Sequence, residues 1–120
     1  MYMAAIFFVS AQSDPPMPAG VSDKSLHGLA YLGLAVLVIR AVAGRLPARL
    51  TWRVAAATLA ITIGYAMTDE LHQTFVPGRS ADAADLLADA IGASAGLIGC
   101  WAWGIIANPN RQIPNPKSTR

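Results

Sequence analysis

Three short runs hold most of the side chains in this sequence that could do chemistry. The first is Asp23-Lys24-Ser25-Leu26-His27. The second is Thr68-Asp69-Glu70-Leu71-His72-Gln73, and the third is Asp82-Ala83-Ala84-Asp85, followed by Asp89. Between the second and third lies Pro77-Gly78-Arg79-Ser80, a tight-turn sequence that returns a guanidinium toward the acids. On a helix, Lys24, His27 and Tyr31 share one face, and Asp23 reaches the same face as His27. Tyr65, Asp69 and His72 align at spacings of four and three, with Glu70 and Gln73 beside them. Asp82, Asp85 and Asp89 fall at i, i+3 and i+7 and form one acidic line.

These residue types support three kinds of chemistry. Carboxylates with imidazoles could hold a divalent cation. Lys24 and Arg79 could grip a phosphate or carboxylate. Glu70 or His72 could act as general base, with His27 as a second acid or base and Asp69 and Asp85 organising them or a metal. The candidate catalytic set is therefore Lys24, His27, Glu70, His72, Arg79 and Asp85. Whether a metal or cofactor takes part is left open, since Asp-Glu-x-His lacks the i, i+4 histidine pair of the zinc-protease helix.

A plainer reading accounts for some of these groups. Ser22 or Asp23, and Asp82 with Asp85, suit the N-terminal ends of two helices as caps. Capping does not reach Asp69, Glu70 or His72, because carboxylates at a helix C-terminus oppose its dipole and need compensation. Lys24 and Arg79 are the expected partners, and Asp89, deep in its helix, needs one too. Two functions compete: an enzyme acting on a lipid or cell-envelope intermediate, and a non-catalytic protein whose charges bind a head group or lock the helices. A proton or ion pathway is disfavoured, because the other half of the chain's hydrophobic stretches lacks matching polar residues.

The elements that must position these runs follow from composition. Of 120 residues, 54% are hydrophobic and 13% charged, about half the charged share of an ordinary soluble domain. That excludes disorder and a solvated soluble enzyme, and leaves one small multi-pass membrane domain, all-α. Nine bases against seven acids, with no basic stripe, exclude a nucleic-acid partner. The single cysteine, Cys100, forms no intrachain disulfide and is expected to pack as a small apolar residue.

Apolar stretches cover Met1 to Ser13, Ser25 to Ile39, Val54 to Thr68 and Ala90 to Asn110. A spanning helix needs about 20 residues, so the fourth qualifies alone. The second must run on through Lys24 and Arg40, and the third through Arg53 and Asp69 to His72. The first is too short to span: it is half-inserted, or its true start lies upstream. A cleaved signal peptide is disfavoured because the basic n-region is missing. Arg40, Arg45, Arg49 and Arg53 mark the connection between stretches two and three as cytoplasmic, together with a polar tail 108–120 carrying Arg111, Lys117 and Arg120. The loops 13–23 and 74–81 then face outward, and the three polar runs gather at that rim.

Those runs also resemble a known family. Asp23-Lys24-x-x-His27-x-x-x-Tyr31, then Asp69-Glu70-x-His72-Gln73-x-Phe75-x-Pro77-Gly78-Arg79, then Asp82-x-x-Asp85-x-x-x-Asp89 with Gly92 and Gly96 are similar to the VanZ-like family, named after a teicoplanin-resistance protein. The likeness spans Ser10 to Gly99, and the family's usual residue at the position of Asp89 is Asn. The resemblance implies a small multi-pass inner-membrane protein with a glycopeptide-tolerance context, having membrane lipids or a cell-wall precursor as partners. It implies no particular reaction. Gly92, Ala93 and Gly96 fit close helix packing of the small-xxx-small type.

Overall fold

The computed structural model describes residues 1–14, 16–44 and 50–107. The expectations placed on Arg45 and Arg49 and on the tail 108–120 lie outside these residues. The described chain is all-α: α1 (Tyr2–Ser10), α2 (Asp23–Ala43), α3 (Trp52–Gln73) and α4 (Ala83–Ala107). Ser22 and Thr51 start α2 and α3 by accepting the backbone N–H of Ser25 (3.2 Å) and Val54 (3.3 Å), so each satisfies a donor that the first turn leaves without a partner. Gly44 ends α2 in the left-handed region, with φ 75°, where a side chain would be strained.

The second and third apolar stretches do run on into their flanks, and α2 and α3 reach 21 and 22 residues. α2 and α4 are both long and apolar enough to cross a bilayer. α3 matches them in length, but Thr58, Thr62, Asp69 and Glu70 dilute its apolar character. All four of those residues are buried, whereas Leu29, Leu37, Ile61, Met67, Leu87, Ile91 and Ile98 point outward. A water-soluble bundle would reverse this arrangement; polar groups turned inward under an apolar exterior are what a lipid surrounding selects.

α2 and α4 pack most closely. The carbonyl of Gly28 lies where a Cβ on Gly92 would stand, and a Cβ on Gly96 would come within 2.8 Å of the Leu32 carbonyl oxygen. Glycine is thus required at both positions for the backbones to approach. Tyr31, Leu34, Val38 and Ala66 form the apolar core, to which α3 contributes one small residue.

α1 has nine residues, too few to cross a bilayer, and it lies along the polar half of the bundle. Its start is held at mid-depth, where the Tyr2 hydroxyl donates to the Ala30 carbonyl (2.8 Å) and the Tyr65 hydroxyl donates to the Met3 carbonyl (2.5 Å). Its end reaches the polar rim, where the buried Ser10 hydroxyl donates to Asp69 (2.5 Å).

Candidate functional site

The N-terminal ends of α2 and α4 and the C-terminal end of α3 meet at one rim. Lys24 Nζ lies 3.1 Å from Asp85 Oδ1 and 3.3 Å from Asp82 Oδ2, tying α2 to α4. One turn further in, His27 Nδ1 stands 3.0 Å from Asp89 Oδ1, while its Nε2 faces Asp23 at 3.8 Å. α3 joins through Glu70, whose Oε2 accepts the backbone N–H of Asp82 at 3.0 Å.

The compensation differs from that expected for Asp69 and Glu70. Lys24 serves Asp82 and Asp85 instead, and Arg79 donates to the Gln12 carbonyl (3.0 Å) and to Gln73 Oε1 (3.2 Å). Glu70 is relieved by the neighbouring helix: its position is unfavourable at the end of α3 but lies against the start of α4, where the dipole and a free N–H favour an anion. Asp69 is held by the Ser10 hydroxyl. Asp82 caps α4 as expected, its Oδ1 accepting the Ala84 N–H at 2.8 Å. That bond, and then Lys24, hold the exposed Asp82 carboxyl below its ordinary range.

Of the six candidate residues, Lys24, His27, Glu70 and Asp85 come together in this network. Arg79 approaches from the turn after α3 and borders a cavity beside it. His72 turns toward α1, where its ring stacks on Phe7 with centroids 4.2 Å apart and planes inclined by 19°. Two trios have ligand-type atoms all within 4.8 Å of one another: Asp23, His27 and Asp85, and His27, Glu70 and Asp89.

The cavity holds about 390 Å³ between α1 and α2. Ile6, Val9, Leu26 and Ala30 make an apolar wall, and His27, Tyr31, Asp69 and Arg79 bring polar atoms to it. The buried Tyr31 hydroxyl and Asp69 Oδ2 have no hydrogen-bond partner among the described residues. Sequence reasoning missed α1 as a wall, and with it Ser10 and Gln12. Tyr2, Ala5, Ile6 and Val9 are spaced as one helix face, but the apolar residues on the other sides of α1 mask it.

No curated protein and no solved structure matches this chain. Two apolar helices with polar groups turned inward are those of a membrane protein. The family model described as VanZ/LLP1 matches residues 3–106, and the chain belongs to that family.

Proposed function

We propose that this chain is a multi-pass protein of the inner membrane that receives, at its extracytoplasmic face, the anionic head of a lipid or cell-envelope intermediate. Its resemblance to a teicoplanin-resistance protein would reflect that substrate class. The observation that carries this reading is the cavity, with an apolar wall along α1 and α2 and Arg79 at its polar end. A guanidinium has five donors, and the described residues engage two of those on Arg79, so it retains capacity for an anionic oxygen. The apolar wall fits the first segment of an acyl or prenyl chain.

Orientation is supported by the far end of the bundle. Trp52, Trp101 and Trp103 are exposed there, and the Arg53 guanidinium sits 5.6 Å from the ring of Trp52. Aromatic and basic residues together fit a cytoplasmic interface. With Cys100 replaced by alanine, Ser80→Cys is expected to react in intact cells with an impermeant maleimide, and Arg53→Cys only after permeabilisation. The reverse labelling would place the polar rim inside the cell and remove this reading.

Binding is tested on purified protein in detergent, using a long-chain lipid phosphate and the alcohol of the same chain. The phosphate is expected to bind more tightly and to raise the thermal midpoint further. Arg79→Gln is expected to weaken phosphate binding by about tenfold, the effect of losing a hydrogen bond to a charged group. Ala30→Trp, which fills the cavity, is expected to weaken both ligands. Equal binding of phosphate and alcohol to the unaltered protein would refute the proposal. A second reading, a charge network that only locks the helices, is favoured by the two acid partners of Lys24. On that reading Arg79→Gln lowers stability and leaves no lipid preference to lose.

A further inference from the structure

The second trio, His27, Glu70 and Asp89, has the features of a metal centre. Its three members come from three helices, α2, α3 and α4, so the site exists only in the assembled bundle. Glu70 and Asp89 are 6% and 1% exposed. Among the described residues each also keeps one buried oxygen without a partner, Glu70 Oε1 and Asp89 Oδ2.

A buried polar atom without a partner is costly, and here two such atoms belong to neighbouring carboxylates. Among the described residues no Lys, Arg or His lies within 4.0 Å of a Glu70 oxygen, and Asp89 has only His27. Two like charges this close in a poorly solvated interior repel strongly, and either a proton on one of them or a cation between them relieves it; a cation also gives both unpartnered oxygens a partner. The 3.0 Å separation of His27 Nδ1 and Asp89 Oδ1 also has the dimension of a chelate. Two ligand atoms, each about 2.1 Å from an ion and at right angles, stand about 3 Å apart. On its other side the His27 ring faces Asp23, as metal-bound imidazoles commonly face a carboxylate that orients them.

We propose that His27, Glu70 and Asp89 bind one divalent transition-metal ion, with zinc and manganese the best match to one imidazole and two carboxylates. The ion takes the place of the proton between His27 and Asp89 and supplies the positive charge that Glu70 lacks. Because His27 also borders the cavity, the remaining coordination positions lie close to any ligand held there. The metal site does not depend on which lipid, if any, enters.

The test uses purified full-length protein, stripped with a chelator, reloaded with zinc or manganese chloride, freed of excess ion and assayed by elemental mass spectrometry. One ion per chain is expected, with a higher thermal midpoint than the stripped form. Glu70→Gln and Asp89→Asn preserve shape while removing charge, and each is expected to lower affinity at least tenfold; circular dichroism checks that the helices persist. Glu70→Gln is the deciding variant because Glu70, unlike Asp89, does not also hold the His27 ring by a hydrogen bond. Failure of the unaltered protein to retain either ion, or retention undiminished in Glu70→Gln, overturns the proposal. Lipid binding without metal retention would leave the cavity reading standing and reject this one.

Discussion

Gly92→Val is expected to separate α2 from α4 and to cost about 3 kcal/mol or more of bundle stability, at or above the upper end for an overpacked site. The Gly28 carbonyl carbon and Cα lie 2.7 and 2.8 Å from the point where a Cβ on Gly92 would stand, and the carbonyl oxygen is closer still. All three are backbone atoms of a helix and cannot rotate away as a side chain would. Only a shift of one whole helix makes room, and that shift also disturbs the Lys24 and His27 bonds to α4. Gly99 is the control: nothing lies within 4 Å of the point a Cβ would occupy there, and alanine is expected to gain about 0.5–1 kcal/mol in helix propensity. Detergent or thermal denaturation followed by circular dichroism separates the two. Equal stability of Gly92→Val and Gly99→Ala would contradict the α2–α4 packing.

The second large effect is expected at Asp89. Asp89→Ala removes the hydrogen-bonded partner of a largely buried His27, and breaking a buried pair from one side costs about 3–5 kcal/mol. Replacing both residues by leucine is expected to recover part of that loss, because neither a charge nor a polar atom is then left stranded. Asp89→Asn, which keeps an acceptor for the ring, is expected to cost much less than Asp89→Ala. The measurement is a double-mutant cycle in the same denaturation assay. Additive losses for His27→Leu and Asp89→Leu would show that the two side chains do not support one another.

Much of this arrangement is legible in the sequence, for a definable reason. Lys24 and His27, Asp69 and Glu70, and Asp82, Asp85 and Asp89 lie at the ends of helices whose boundaries are marked by Ser22, Thr51, Gly44 and the Pro77-Gly78 turn. Three successive antiparallel helices must bring those ends to one rim. Partner choice is less legible, because it depends on rotation about each helix axis. Glu70 and His72, two residues apart, point to nearly opposite sides of α3, so its rotation decides which of them faces α4; in the structure Glu70 does, while His72 turns to Phe7. α1 is hardest to read. Almost every side of it is apolar, so the face that lines the cavity, with Tyr2, Ala5, Ile6 and Val9, does not stand out from the face that carries Phe7 and Phe8. The role of Gln12 is hidden further, because it contributes a backbone carbonyl, which no residue type announces.

The bond from Asp82 to Glu70 also bears on how the protein is assembled. Until α4 arrives, α3 ends in two acidic groups set against its own dipole, and of the two Asp69 alone has an earlier partner, the Ser10 hydroxyl of α1. The helix synthesised next therefore completes the one before it, and α3 should settle into the bilayer only as half of a hairpin. A ribosome-stalled chain ending before residue 82 would then leave α3 readily extractable, and a few more turns of translation would fix it in place.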